Sequence, residues 1–297
     1  MKRALAGVTL LVAAASAAAP AAKNPQNPQN PLYRANTDLV PVYVSVRGGG
    51  GTVGALQSSD FELTDRGVVQ TVTVVSSDAV PIDVTLVVDT SRSVINSLPL
   101  FRSEVQAIVG QLQPDEQIRL ITFDTEVRQI LPMQAPSERP PVQQIQLGDT
   151  TSLADALVLA LARARRSDRR HLVFVFTDGY DTASILGYGA LPELASHTDS
   201  IIHIALVRPS GSDLPSVGAI GALTAAAART GGSLYQPTQN LGGIVSAFQR
   251  AIEDFRHSYV LAFMPTGVPG PGWHDISVKV MKQGNYDIRA REGYFGR

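Results

Sequence analysis

Three runs of the chain, "IDVTLVVD", "HLVFVFTDG" and "SIIHIALV", are apolar at nearly every position rather than at every second one. A strand with water on one face alternates; a strand that is apolar throughout must be covered on both faces, which is the pattern of a mostly parallel sheet between two helical layers. The text between these runs supplies the covering helices. "SLPLFRSEVQAIVGQLQ" repeats apolar residues at helical spacing (Leu100, Val105, Ile108, Val109, Leu112), and "SLADALVLALARARR", "VGAIGALTAAAARTGG" (closed by Gly231) and "LGGIVSAFQRAIEDF" read as three more helices. "QIRLITFD" and "EVRQILPM" add two strands. Alternation of strand and helix over residues 79–255 predicts an α/β fold with a doubly wound, mostly parallel, Rossmann-like sheet.

The flanks have a different texture. In "TDLVPVYVSVRGGGGTVGAL" Val40, Val42, Val44 and Val46 fall on one face before a four-glycine turn, and "DFELTDRGVVQTVTVVSSD" reads as two strands joined at Asp65-Arg66-Gly67, with Gly67 free to take positive φ. At the other end "HSYVLAFMP", "WHDISVKVMK" and "YDIRAREGYF" read as strands. The expectation is that an N-terminal β segment (38–78) and a C-terminal one (256–297) pack together as a small β-sandwich, with the α/β block inserted between them. Ahead of these, residues 1–21 carry Lys2 and Arg3, an Ala-rich apolar stretch and small-residue cleavage choices, the signature of a secretory signal peptide, and residues 22–37 hold the linker "KNPQNPQNP". The apolar stretch is short of the ~20 residues that a spanning helix needs, and no second one follows, so no integral span is expected after cleavage. A net charge of −1 gives no general attraction to nucleic acid or anionic membrane, and the absence of cysteine excludes disulfides and thiolate metal sites.

Polar clusters stand where the strands end, the place at which open α/β sheets bind ligands. They are Asp89-Thr90-Ser91-Arg92-Ser93 after the first strand, Thr150-Thr151-Ser152 before a helix, and Thr177-Asp178-Gly179 after "HLVFVF". Singly, each has a plain explanation: Ser93 as a local turn, Thr151 or Ser152 as a helix N-cap, Asp178-Gly179 as a turn. Together they converge two carboxylates and three hydroxyls on one sheet edge. An all-oxygen donor set suits Mg²⁺, Mn²⁺ or Ca²⁺ rather than zinc or copper.

Asp89-x-Ser91-x-Ser93, Thr151 in "TTSLADAL" and Asp178 in "TDG", in that order, resemble the metal ion-dependent adhesion site (MIDAS) of the von Willebrand factor type A domain. The flanking "LVPVYVSV", "DFELTDRG" and "AREGYF" are similar to secreted bacterial proteins that carry such a domain between β segments. The resemblance implies that Ser91, Ser93 and Thr151 give hydroxyl oxygens to a Mg²⁺ ion (or Mn²⁺ or Ca²⁺), that Asp89 and Asp178 act directly or through water, and that a partner protein's carboxylate takes the open position. It further implies an exported, periplasmic or extracellular, non-enzymatic adhesion module. Two other readings are an envelope assembly protein whose cation steadies its own loops, and a metal-dependent hydrolase; G-x-S-x-G, H-E-x-x-H and G-x-x-x-x-G-K-[ST] motifs are absent.

Other polar features read as structural. Asp181 is expected to be a solvated turn residue, Asp124 part of a hairpin turn, and His203 and Trp273 satisfied core residues. In "ARARRSDRR", Arg163, Arg166 and Arg170 fall at helical spacing and would complement a helix C-terminus or form a basic patch. The five histidines show no paired metal-ligand spacing.

Overall fold

The computed structural model describes residues 39–76, 80–92, 98–137, 140–142, 145, 147–162, 166, 168–207, 215–236, 243–268 and 270–296. The expected signal peptide and linker, and Ser93, lie outside these described residues. The chain enters on β1 (Val40–Gly48), β2 (Gly51–Thr52), β3 (Phe61–Asp65), β4 (Val68–Gln70) and β5 (Val72–Ser76). It continues through β6 (Ile82–Asp89), α1 (Leu98–Val109), β7 (Gln117–Phe123), β8 (Val127–Gln134), α2 (Leu153–Leu161) and β9 (Arg170–Thr177). Then come α3 (Leu191–Ser196), β10 (Ile201–Leu206), α4 (Val217–Thr230), β11 (Leu234–Tyr235) and α5 (Gly243–Arg256), and the chain closes on β12 (Tyr259–Phe263), β13 (Gly272–Val280), β14 (Asp287–Ala290) and β15 (Gly293–Gly296).

The central sheet has the order β11-β10-β9-β6-β7-β8, parallel except for β8, which runs antiparallel to β7. Its continuous apolar strands are explained by the two layers they serve. Leu86 and Val88 point into a cluster with Val105 and Ile108 of α1 and Phe248 and Ile252 of α5, whereas Val87 joins Leu153 and Leu157 of α2, Leu191 of α3 and Leu223 of α4 on the opposite face. Phe174 meets Phe248 edge-on at 5.3 Å, and burying side chains of this size contributes roughly 1.5–3 kcal/mol each. The chain leaves β6 toward β7 on one side and later returns through α2 to β9 on the other. The order of strands therefore reverses between β6 and β9, the crevice where Asp89 and Asp178 stand.

The flanking strands form two further sheets, β14-β1-β12-β5 (with β2 paired to β1) and β15-β13-β3-β4. Val42, Val44, Leu261 and Phe263 of the first and Phe61, Leu63, Ile276 and Tyr294 of the second bury one another in a single cluster. Each sheet pairs N-terminal with C-terminal strands, β1 with β12 and β14, and β3 with β13, so neither end of the chain completes a sheet alone. Two runs read from the sequence as single strands are each divided. "VVQTVTVVS" breaks at Thr71 into β4 and β5, and "DIRAREGYFG" breaks at Arg291-Glu292 into β14 and β15; in both cases the halves belong to different sheets. The first corner is held by Gln70, whose side-chain amide donates to the Thr266 carbonyl (3.0 Å) and accepts from the Thr266 N–H (2.9 Å), standing in for a pair of strand bonds. The Asp65-Arg66-Gly67 turn has positive φ at both Arg66 (46°) and Gly67 (82°), with the Arg66 guanidinium bonded to the Trp273 carbonyl at 2.6 Å.

The two chain crossings between sandwich and central sheet lie at the amino ends of β6 and β9. Arg170, the first residue of β9, is 2 % exposed and ties both: it donates to the carbonyls of Val80 (3.4 Å) and Phe255 (2.5 Å) and to the Ser258 hydroxyl (3.0 Å), and its guanidinium lies 4.7 Å from the Phe255 ring centroid. Of the arginines read at helical spacing in "ARARRSDRR", Arg170 opens β9, Arg166, after the end of α2 at Leu161, pairs at the surface with Asp168, and Arg163 lies outside the described residues. Nearby, Arg47 of β1 forms an ion pair with the buried Asp254 of α5, and burial holds that carboxyl above its usual range against the pull of Arg47.

His203 is the core residue expected of it: its ring accepts from the Ser233 N–H (3.1 Å) and stacks on Tyr235. Burial, with a smaller push from Arg289, lowers its pKa from 6.5 to about 3. Because the folded chain refuses a proton that the unfolded chain accepts, this histidine's contribution is complete above pH 6.5 and is lost as the pH falls toward 3. At pH 4.5 the loss amounts to about 2–3 kcal/mol. His203→Gln keeps an acceptor for Ser233, and the drop in urea midpoint between pH 7 and pH 4.5 should be smaller in this variant than in the wild type; equal drops would rule out His203 as the source.

Candidate metal centre

Asp89, the last residue of β6, is fully buried and has both carboxylate oxygens engaged. Oδ1 accepts from the Ser91 N–H at 2.9 Å, and Oδ2 accepts from the Thr177 hydroxyl at 2.8 Å. Thr177 ends β9, and its hydroxyl also accepts from the Gly179 N–H at 3.0 Å, so one threonine couples the ends of the two strands that flank the crevice. Asp178 follows, 2 % exposed, with the Tyr180 N–H donating to Oδ1 at 3.1 Å. Its Oδ2 is buried and has no hydrogen-bond partner among the described residues.

The other loops are drawn to the same place by backbone bonds. Ser91 forms an isolated parallel bridge with Gly148, whose N–H donates to the Thr90 carbonyl at 3.0 Å; the 148–152 segment is thereby fastened alongside the end of β6. A Cβ on Gly148 would lie 2.4 Å from Cγ of the buried Asp124, so glycine is required for this approach. Asp124 does belong to the β7–β8 turn, as expected, but it is buried, accepts from Arg128 (2.6 Å), the Thr90 hydroxyl (3.3 Å) and the Glu126 N–H (2.9 Å), and braces the loop from beneath. Thr151 is fastened in turn to the loop after Asp178: its carbonyl accepts from the N–H groups of Thr182 and Ala183, both at 2.9 Å, and its own N–H donates to the Thr182 hydroxyl at 3.0 Å.

Asp89, Ser91, Thr151 and Asp178 are therefore brought to one sheet edge. The plain capping explanation for the middle cluster does not hold, since Ser152 occupies the N-cap of α2 without a side-chain capping bond. Asp181 takes that role. Its Oδ2 accepts from the Ala154 N–H (2.9 Å) and its Oδ1 from the Ser184 N–H (3.0 Å), so it is a bridging residue rather than a solvated one. Asp155, Tyr188 and Thr177 also shape the site. Tyr188 donates to the Gly179 carbonyl at 2.6 Å, and burial together with Asp181, Asp178 and Asp89 pushes its phenol well above the usual range.

The two acids also act on each other electrostatically. Burial first, and then the neighbouring charge of Asp178, raise the Asp89 pKa from 3.8 to about 7, against the lowering effect of its bonds from Ser91 and Thr177. Two adjacent buried carboxylates, one with an unpartnered oxygen, carry a cost that a cation relieves. The donor set fits a hard divalent ion in kind. Among the described residues no group of three or more His, Cys, Asp or Glu side chains could hold a metal, so the charge complement is these two acids with hydroxyl oxygens around them.

The fold is thus a doubly wound α/β domain with two buried acids at its switch point, where a nucleotide-binding domain would place a glycine-rich phosphate loop. Residues 83–209 match the von Willebrand factor type A domain family, and this segment of the chain is such a domain; the family often mediates protein–protein contacts. Solved structures are similar in fold. Proximal thread matrix protein 1 from the mussel byssus, with a zinc-occupied MIDAS motif, is 16% identical with a TM-score of 0.51, covering 66% of this chain and 51% of that one. A von Willebrand factor type A protein from Catenulispora acidiphila is 10% identical with a TM-score of 0.50, covering 85% and 73%. No curated protein matches the chain. Among the described residues no helix is long and apolar enough to cross a membrane.

Proposed function

We propose that the chain is an exported, divalent-cation-dependent protein-binding module, with Asp89, Ser91, Ser93, Thr151 and Asp178 holding Mg²⁺ (or Mn²⁺ or Ca²⁺) and residues 1–21 directing export. The observation that carries this is the unpartnered, buried Oδ2 of Asp178 beside the Asp89 carboxylate. When bound, the cation supplies a Lewis-acidic position for a partner's carboxylate oxygen. The chain's own residues do the rest. Thr177 and the Ser91 N–H fix the Asp89 carboxylate, the Tyr180 N–H fixes Asp178 and leaves one oxygen free, and the Thr151 backbone is locked to the 182–183 segment.

A cation that only steadied its own loops is the weaker reading, because those loops already hold one another through Thr151, Asp155 and Asp181. The test is calorimetric titration of the chelator-stripped protein with Mg²⁺, Mn²⁺, Ca²⁺ and, given the mussel protein, Zn²⁺. One-site binding that raises the melting temperature is expected. No heat and no shift with any of the four ions would overturn the proposal.

A further inference from the structure

We infer that the rim of this site is an apolar docking surface led by Ile185, and that the partner it fits is a protein segment bearing an acidic residue with apolar side chains beside it. The inference rests on the cation-site reading and names the partner's chemistry. Ile185 is 98% exposed and Val217 is 89% exposed, the two most exposed of the large apolar residues in the described chain. A lone exposed aliphatic side chain is ordinary. These two differ in where they stand and in how they are held.

Ile185 is displayed by a loop fixed at the residue itself. Its N–H donates to Asp155 Oδ2 (2.9 Å) and that of Leu186 to Oδ1 (3.1 Å), so one carboxylate grips the backbone on either side of the exposed side chain. Upstream, Ser184 is bonded to Asp181, and Thr182 and Ala183 are bonded to the Thr151 carbonyl. Leu186, the next residue, packs against the core cluster under α2 and α3. Ile185 thus stands at most roughly 11 Å of chain from Thr182, which is itself fastened to a proposed ligand of the cation. Val217 opens α4 two residues after Pro215, whose ring closes on Gly179 so tightly that a Cβ there would lie 3.0 Å from it. The loop that follows Asp178 thus displays Ile185, and the start of α4, which displays Val217, closes on Gly179 next to Asp178. The far rim is polar, with the exposed pair Arg92–Asp149 at 3.6 Å. Preordered apolar groups around a desolvated charged centre are what binding hot spots are made of, because little ordering entropy remains to be lost on association.

The test is to pan a phage-displayed library of random twelve-residue peptides on the full chain in Mg²⁺ and elute with EDTA. Eluted peptides are expected to carry Asp or Glu within a few positions of Leu, Ile, Val or Phe. Synthetic copies should bind Ile185→Ser about tenfold or more weakly, and Ile185→Ser/Val217→Ser more weakly still, with the Mg²⁺ affinity of both variants unchanged. Peptides that bind the variants as tightly as the wild type, or a library from which EDTA releases nothing, would overturn the inference while an intact Mg²⁺ titration leaves the cation site standing. Failure of the Mg²⁺ titration in the wild type would instead remove the reading beneath it.

Discussion

Asp178→Asn is expected to abolish the Mg²⁺-dependent rise in melting temperature while the metal-free protein melts no lower than the wild type. The asymmetry follows from the two oxygens of Asp178. Oδ1 accepts from the Tyr180 N–H, a bond that the asparagine carbonyl keeps, whereas Oδ2 has no partner to lose. Removing its charge also relieves the repulsion that helps push Asp89 up to about 7. The cost appears only with metal, where one of two carboxylates is gone. At a Mg²⁺ concentration 100 times the dissociation constant a single site stabilises the wild type by about 2.7 kcal/mol. For a chain of this size that is a shift of roughly 4–5 °C, all of which should vanish in the variant. Asp89→Asn makes the contrast: both Asp89 oxygens accept hydrogen bonds, so its amide leaves either Ser91 or Thr177 without an acceptor, a loss of about 1 kcal/mol that offsets part of what removing this buried charge gains in the metal-free form. Differential scanning calorimetry with and without Mg²⁺ reads both effects. A full metal response in Asp178→Asn would remove this residue from the site.

The central sheet was legible because its strands are apolar on both faces, as Leu86, Val87 and Val88 show by entering opposite clusters. The acids at its carboxyl edge were legible because strand ends are a fixed location in sequence. The corners at Thr71 and Arg291-Glu292 were not. Alternation continues through a residue where the strand changes sheets, and the residue that secures the first corner, Gln70, bonds to Thr266, far along the chain. The same reason hides Asp181: its partner, the Ala154 N–H, is 27 residues away, so the acid reads locally as a turn residue. Ser152 misleads in the other direction, having the right identity and position for a cap but no capping bond. Arg170, read at helical spacing with Arg166, opens β9 instead, which shows how a short periodic match can run into a strand.

Those arginines yield the sharpest contrast in stability. Arg170→Met should lower the free energy of unfolding by about 3 kcal/mol, whereas Arg166→Met, four positions earlier in the same basic run, should change it by less than about 0.5 kcal/mol. Methionine matches much of the arginine stem and can still lie against Phe255, so the loss isolates the guanidinium. That group is nearly inaccessible and bonds to the chain on its way into β6, through Val80, and on its way out to the sandwich, through Phe255 and Ser258. Phe255 keeps a donor in the Ser258 hydroxyl (2.9 Å), which limits the damage on the outgoing side. The Val80 carbonyl loses the Arg170 donor in a place with little access to water, and the cost of an unmet buried acceptor sets the size of the effect. Among the described residues Arg166 pairs with Asp168 at the surface, where solvent takes over either partner. Since Arg170 ties the two crossings together, its removal should also loosen the coupling between sandwich and central sheet. Urea unfolding followed by the fluorescence of Trp273, which lies in β13 of the sandwich, and by far-ultraviolet circular dichroism, dominated by the α/β helices, should then give two separated midpoints in Arg170→Met and one in Arg166→Met. Coincident transitions and equal midpoints in the two variants would mean that the crossings are held by the surrounding apolar contacts and that Arg170 is dispensable to them.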